Sequence, residues 1–350
     1  MDSNNDTKFP TIQCDLIDDL GYDLVPMYRV LFFLSCFTVP SGIILNLIFV
    51  ITLICRAKKV FDITNHALLL SCLAQVLLSF VQGPIRIYFY YYRGCLPLAG
   101  SALCQLSVYL DYIPTQINDF LTAQLSIERL LLIVKPFIFH RTRHQRFSFA
   151  ISLHYLSLFV AIVFPSLYYP IIMQNGASTI DLDDPSATQT CDLWYSRDIY
   201  ELFDLLITFV PYFLILTMCL LVIGLMLYRK YIHSDQRRRQ PGGRAHRRLL
   251  YSLNLFLLWF LLTWSPWVLY DFFQTILNLT YSVYIDAITT YIVYLNYTFS
   301  STIVLFTFKE MRQFCFTKLC FHHFIRRVEP IQQNQTGRPL QTFRQNNTTR

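Results

Sequence analysis

The sequence predicts an all-α membrane protein: a bundle of seven transmembrane helices with an extracellular amino terminus and a short amphipathic helix after the seventh span. Three observations predict this class. Of the 350 residues, 54% are hydrophobic and only 15% are charged, whereas soluble domains carry about 25% charged residues. Seven apolar stretches are long enough to cross a bilayer core about 30 Å thick as helices. The charges between these stretches are segregated by sign, as in proteins that obey the positive-inside rule.

The seven spans follow one another along the chain at residues 30–55, 64–91, 101–134, 147–172, 199–228, 249–277 and 281–308. The first and fourth contain no Asp, Glu, Lys or Arg, and the second contains only Arg86. Charge inside the spans is concentrated in the third, which carries Asp111, Asp119, Glu128 and Arg129. β-barrel strands would be about ten residues long with alternating polarity, which these stretches are not.

Orientation follows from the short connections. "CRAKKV", "KPFIFHRTRHQR", "RKYIHSDQRRRQPGGRAHRR" and "KEMRQF" are basic and fall on one side, whereas the amino terminus and the loop before the fifth span are acidic. Lys and Arg mark the cytoplasmic side, so the amino terminus lies outside. We divide the chain into an extracellular tail (1–26), the seven-span domain (27–308), an amphipathic juxtamembrane helix (309–325) and a disordered cytoplasmic tail (326–350).

Processing signals agree with this orientation. Asn5 and Asn278 begin Asn-X-Thr glycosylation sequons on outside segments. Four cysteines face the oxidising compartment, where disulfides persist: Cys14, Cys95, Cys104 and Cys191. A bridge between Cys104 and Cys191 would tie the long acidic loop to the third helix, and Cys14 and Cys95 are candidates for a second bridge. After the seventh span, Cys315 and Cys320 are candidate palmitoylation sites.

The stretch "SIERLLLIVKPF" places an acid and a base beside a wholly apolar run. Arg129 lies 25 residues after Cys104 in the sequence, which is roughly 37 Å of helix. With Cys104 at the outer rim, Glu128 and Arg129 therefore lie at the inner rim, where a cytoplasmic partner could reach them. A snorkelling Arg at a helix end is the simpler alternative.

Together these features resemble the rhodopsin-like family of G-protein-coupled receptors from about residue 27 to residue 324. Further motifs of the resemblance are Asn46, Pro136, Pro211 and the Trp-Ser-Pro element at 264–266. The resemblance implies a two-state bundle in the plasma membrane that binds an outside ligand and couples to a heterotrimeric G protein. It assigns Glu128 and Arg129 to the G-protein switch, Trp264 to the floor of the ligand pocket, Pro266 to a kink in the sixth helix, and Phe260 to packing below Trp264.

Several positions depart from the family pattern. Gln75 replaces the Asp that helps to bind sodium, so we expect no sodium site among Asn118, Asn296 and Ser300. Ser300 and Ser301 replace an Asn-Pro pair, Val304 and Cys219 replace two tyrosines, and His246 replaces an acid. Asp119 stands near the bilayer midplane, where the family has an apolar residue. It either partly replaces the lost acid or is a hydrogen-bonded structural residue.

The candidate ligand-binding residues are Asp111, Tyr294, Trp264, Trp267 and Gln274. By the resemblance, Asp111 matches the amine-binding Asp of monoamine receptors, so a biogenic amine is one predicted ligand. The acidic outer segments favour a basic peptide instead, through electrostatic steering. Asp111 could also have a purely structural role, paired with Tyr294 or Arg86 inside the bundle.

Other classes of function are less well supported. A transporter or channel would place polar residues on several helices around one path, with paired repeats. We find no metal-spaced His cluster, predict no cofactor and no catalytic residue, and expect His154 in the fourth span to be a packing residue. The basic loop "RRRQPGGRAHRR" is a positive-inside flank facing membrane lipid or a G protein rather than a nucleic-acid patch.

Overall fold

A computed structural model describes residues 25–60, 65–92, 102–134, 149–175, 177–178, 194–195, 198–232, 243–277 and 282–315. These residues form eight helices and a two-stranded ribbon: α1 (Val25–Val60), α2 (His66–Tyr91), α3 (Ala102–Val134), α4 (Phe149–Asn175), β1 (Ala177–Ser178), β2 (Trp194–Tyr195), α5 (Asp198–Ile232), α6 (Gly243–Leu277), α7 (Val283–Thr307) and α8 (Lys309–Phe314). Each of the seven predicted spans falls on one helix of the bundle, in the predicted order.

Five of the described helices are long and apolar enough to cross a membrane by length and composition, namely α1, α2, α4, α5 and α6. The helices α3 and α7 have the length but carry more polar residues, and many of these are buried inside the bundle, such as Gln116, Asn118 and Asn296. Polar side chains on these two helices therefore serve contacts between helices, and the lipid-facing helices supply the apolar surface.

Helix α3 is the centre of the bundle, since it packs against α2, α4, α5 and α6, while α7 packs against α1, α2 and α6. The main core runs between these helices and includes Phe49, Leu121, Ile215 and Phe256. Large apolar side chains also point outward, for example Phe37, Ile54 and Leu262, which are 76%, 71% and 64% exposed. A surface this apolar is expected of a protein whose outer face contacts lipid tails rather than water.

The packing of α1 against α7 depends on a glycine. A Cβ atom on Gly42 would come within 2.0 Å of Thr298 Cγ2, so a side chain at this position would collide with the side chain of Thr298. Below this contact, Ser301 donates a hydrogen bond to Asn46 Oδ1, and Asn46 Nδ2 donates to the carbonyl of Tyr297 at 3.4 Å. Small residues and interhelical hydrogen bonds are the usual means of close helix packing in membranes.

The segment between α4 and α5 contains a short ribbon that the sequence patterns did not indicate. Ala177 pairs with Tyr195 and Ser178 with Trp194 in antiparallel register. Cys104, buried at the start of α3, is disulfide-bonded. The other described cysteines are free thiols, so its partner lies outside the described residues. This leaves the pairing with Cys191 a prediction.

Candidate functional site

The outer half of the bundle contains an ion pair between two neighbouring helices. Arg86 of α2 lies with Nη2 3.6 Å from Asp111 Oδ2 of α3, and the two side chains are 27% and 21% exposed. Arg86 Nε donates to the Tyr294 hydroxyl of α7 at 2.7 Å, and that hydroxyl donates to Asp111 Oδ2 at 3.2 Å. We call Arg86, Asp111 and Tyr294 the outer triad. It joins three helices through charge-assisted hydrogen bonds, which are the stronger kind.

Aromatic rings support the arginine of the outer triad. The guanidinium carbon of Arg86 lies 4.7 Å from the ring centroid of Tyr294 and 5.7 Å from that of Phe89. Cation–π attraction at such distances adds to the ion pair. Beside the triad, a cavity of about 10 Å³ opens between α1, α2 and α7, with Thr38, Gly83 and Tyr291 among its lining residues. It has room for about one water molecule.

A row of aromatic rings leads from the outer triad into the core. Tyr294 packs edge-on against Tyr297 at 5.4 Å between centroids, and Tyr297 packs edge-on against Trp264 at 6.3 Å. Trp264 in turn stacks on Phe260 at 5.6 Å with an angle of 22° between the rings. Trp267, half-buried, contacts Trp264 edge-on at 5.9 Å. The rings of α6 and α7 are therefore in unbroken contact from the triad to Phe260.

Helix α5 is tied to its neighbours by hydroxyl and amide groups around Pro211, which lies inside the helix. Gln116 Nε2 of α3 donates to Thr208 Oγ1 at 2.9 Å, and the hydroxyls of Tyr212 and Ser265 of α6 are 2.6 Å apart. Ser265 directly precedes Pro266, the proline inside α6. The contact between α5 and α6 therefore sits at the position where α6 lacks a backbone N–H donor. Gln274, the remaining candidate ligand residue, is half-buried two turns further out on α6.

At the inner end of α3, Arg129 is completely buried, with 0% of its surface exposed. The sequence predicts this residue at a rim open to a cytoplasmic partner, and the structure places it on the same helix as Cys104. What the sequence did not indicate is that the side chain has no exposed surface at all. The structure is therefore closed over Arg129.

The acid beside it, Glu128, is held by the fourth helix. Its Oε1 atom lies 2.6 Å from His154 Nδ1 and accepts a hydrogen bond from Gln124 Nε2 at 2.8 Å. Gln124 Nε2 also donates to the backbone carbonyl of His154 at 3.3 Å. Glu128, Gln124 and His154 form what we call the inner cluster, and all three side chains are buried. We expected His154 to be a packing residue, but it makes a polar contact with Glu128.

Near the middle of α3 lies a buried polar network. Asn118 Oδ1 accepts hydrogen bonds from Ser71 Oγ at 2.6 Å and from Gln75 Nε2 at 2.8 Å. Asn118 Nδ2 lies 3.4 Å from Asp119 Oδ1, and Asp119 is 3% exposed. Gln75, which replaces the sodium-binding acid of the family pattern, thus donates a hydrogen bond from the second helix to the third. On α7, Ser300 bonds to Asn296 Oδ1 at 2.6 Å.

The remaining sequence-predicted sites divide in two groups. Cys315 follows α8 with its side chain buried in the main core. Others lie outside the described residues, namely Asn5, Cys14, Cys95, Pro136, Cys191, Asn278 and Cys320, as does the side chain of His246. Within the described residues no three His, Cys, Asp or Glu side chains are grouped to hold a metal ion.

Three residues of these clusters were not among the ligand-binding or switch residues predicted from the sequence: Arg86, Gln124 and His154. Arg86 was visible as the single charge of an otherwise apolar span, which in a membrane helix marks a pairing partner by default. His154 was visible as the single histidine of an apolar fourth helix. Nothing in the sequence tied it to Glu128, 26 residues earlier.

Similarity to known proteins is evidence that does not depend on the structure. Residues 46–305 match the family described as 7 transmembrane receptor (rhodopsin family). Prokineticin receptor 2 from Mus musculus is 26% identical over 242 residues, which cover 66% of this chain and 61% of the receptor. G-protein coupled receptor 183 from Mus musculus is 24% identical over 246 residues, covering 70% of this chain and 64% of that receptor. The chain thus spans somewhat less than two thirds of the length of either relative.

Proposed function

The chain belongs to the rhodopsin family of seven-transmembrane receptors and is a multi-pass protein of the plasma membrane, and on this premise we propose that it binds an extracellular ligand and activates a heterotrimeric G protein. One observation carries the proposal: aromatic contacts run without a break from the outer triad to Phe260 in the core. A ligand that displaces the triad also displaces the first ring of this row.

The proposed mechanism is a shift between two conformations. A ligand that binds the open form more tightly than the closed form shifts the population by that difference in affinity. Movement of Tyr294 is passed by ring contact through Tyr297 to Trp264. Since α6 lacks one backbone hydrogen bond at Pro266, it bends there at low cost and its inner end moves away from α3. Arg129, buried in the closed form, then becomes accessible to the G protein.

The ligand we propose is a peptide, and a basic one. The charge of Asp111 is already balanced by Arg86 at 3.6 Å, so an ammonium group would have to displace a guanidinium that is also held by Tyr294. A peptide has a larger contact area and finds acidic groups in the extracellular tail and in the outer loop, whose carboxylates include Asp181, Asp183 and Asp184. Such acidic segments raise the local concentration of a basic partner.

The biogenic-amine alternative has one supporting observation, which is that Asp111 remains 21% exposed on the outer side of the bundle. Substituting Asp111 with Asn removes its charge and keeps its shape. For an amine anchored by one ammonium, affinity should fall roughly 10- to 150-fold, the equivalent of about 1.5–3 kcal/mol for one charge-assisted hydrogen bond. A peptide should lose less, and should also bind more weakly when Asp181, Asp183 and Asp184 are neutralised together.

The test of the overall proposal is a screen of peptides and amines on cells that express the receptor, read by cAMP and calcium. We expect at least one ligand to give a response that Arg129→Ala removes while the receptor still reaches the cell surface and binds. A ligand that binds the intact receptor without any G-protein response would contradict the proposed coupling. Because the family is one of receptors and not of enzymes, the screen measures ligand binding and signalling rather than catalytic turnover.

A further inference from the structure

The inner cluster joins α3 to α4 next to the residue proposed to contact the G protein. A carboxylate has no proton to donate, so the imidazole donates from Nδ1 across the 2.6 Å contact with Glu128 Oε1. Gln124 donates to that same oxygen and to the backbone carbonyl of His154. The amide thus bridges the two helices in parallel with the imidazole. Two hydrogen bonds therefore join α3 to α4, one between His154 Nδ1 and Glu128 Oε1 and one from Gln124 Nε2 to the His154 carbonyl, while the bond from Gln124 to Glu128 lies within α3.

Burial makes this cluster strong. His154 is 4% exposed, Glu128 6% and Gln124 8%. Hydrogen bonds to an ionised group far from water are worth more than those at a surface, and a buried charge that loses its donors is costly. Two aromatic rings also lie near the imidazole: the ring of His66 of α2 is 5.7 Å away and that of Tyr155 is 5.2 Å away.

Glu128 and Arg129 are consecutive residues on one helix, so their side chains turn together. Arg129 has no exposed surface in the closed bundle, and once the inner end of α6 has moved away, a rotation or shift of the lower part of α3 turns its side chain towards the inner opening. That same movement carries Glu128 away from α4 and breaks its contacts with His154. The hydrogen bonds of the inner cluster therefore stabilise the closed form specifically.

We propose that His154 is a positioning residue that fixes Glu128 against α4 and thereby sets how readily the inner end of α3 opens to expose Arg129. The inference rests on the proposed function for its physiological meaning, but the opening itself can be measured without a ligand or a G protein. The position used to detect opening is Ile133, one turn below Arg129. Ile133 is 3% exposed and packs with Val222 of α5. A cysteine placed there is shielded in the closed form and reactive in the open one.

The experiment measures how fast a water-soluble maleimide modifies Ile133→Cys in purified receptor, by mass spectrometry of the α3 peptide. His154→Leu removes the donor, and His154→Asn keeps an N–H close to the position of Nδ1. Tyr155→Phe, on the exposed side of the same turn, is the matched control. Loss of one charge-assisted hydrogen bond should raise the modification rate about tenfold or more in His154→Leu. His154→Asn and Tyr155→Phe should stay near the rate of the parent.

The decisive comparison is with Glu128→Gln. If His154 acts through Glu128, the double variant should react no faster than the faster single variant. If the rate increases of the two single variants multiply in the double variant, His154→Leu only loosens the bundle. If the modification rate in His154→Leu is unchanged, the contact with Glu128 does not hold α3. Either result overturns the proposal. Ligand-independent G-protein activation is measured in parallel on the same variants. If the maleimide rates follow the expectation but no variant activates a G protein, the role of His154 stands and the proposed coupling fails.

Discussion

The outer triad predicts that removing both of its charges destabilises the receptor by less than the sum of the two single losses. At 3.6 Å, two unit charges in surroundings with an effective dielectric constant of 20 attract by about 4–5 kcal/mol. Arg86 and Asp111 are 27% and 21% exposed, so solvent screening and the cost of desolvation leave a net coupling of about 1–2 kcal/mol. We therefore expect Arg86→Gln and Asp111→Asn each to lower the free energy of unfolding. The loss in the double variant should be smaller than the sum of the two single losses, and the difference is the coupling energy.

The assay is a double-mutant cycle on receptor purified in detergent, with the thermal unfolding midpoint as the measurement. A coupling of about 1–2 kcal/mol corresponds to a midpoint difference of a few degrees for a chain of this size. Tyr294→Phe extends the cycle, since it removes the hydroxyl that contacts both charged groups and keeps the ring that packs on Tyr297. Asp271→Asn, which neutralises a half-buried acid on the outer part of α6, is the matched control and should not couple to Arg86→Gln.

Strictly additive losses for Arg86→Gln and Asp111→Asn would refute the reasoning, because additivity means that the two side chains do not interact in the folded receptor.

The same variants also test which kind of ligand binds. If the pair is as strong as we expect, a cationic ligand competes with Arg86 for Asp111. Arg86→Gln should then raise the affinity of an amine and leave that of a peptide anchored in the acidic loop nearly unchanged.

The remaining predictions concern other parts of the bundle. Arg129→Ala should abolish G-protein activation and leave ligand affinity within a few fold, because the side chain is enclosed at the inner end of α3; normal signalling by this variant in a cAMP assay would contradict its assigned role. Cys104→Ser and Cys191→Ser should reduce surface expression to a similar degree, and peptide mapping that finds a thiol at Cys191 in mature receptor would contradict the pairing. Gly42→Ala should lower the free energy of unfolding by about 1–3 kcal/mol, since its Cβ would lie 2.0 Å from Thr298 Cγ2. Adding Thr298→Ser removes that methyl group and should recover part of the loss in a thermal unfolding measurement. No recovery would show that the contact with Thr298 is not the cause.

The architecture was accessible from the sequence because each span is a local property. A helix that crosses a bilayer needs about 20 apolar residues, and α1, α2, α4, α5 and α6 carry that information within their own sequences. The sign of the connecting charges then orients the chain. The placement of Cys104 and Arg129 on one continuous helix followed in the same way. The ribbon of β1 and β2 did not follow, because two residues per strand leave no periodic pattern.

The contacts between helices could not be obtained from the spans. The sequence left Asp111 open between a ligand partner and a structural pair, and only the bundle brings Arg86 and Tyr294 to it from α2 and α7. It left His154 as a packing residue, and only the placement of α4 beside α3 brings its imidazole to Glu128. The physical reason is one of range: hydropathy and helical rise depend on neighbours in sequence, whereas an ion pair or a hydrogen bond acts over a few ångströms between residues far apart in the chain. Which polar groups meet inside the membrane is therefore decided by helix packing alone.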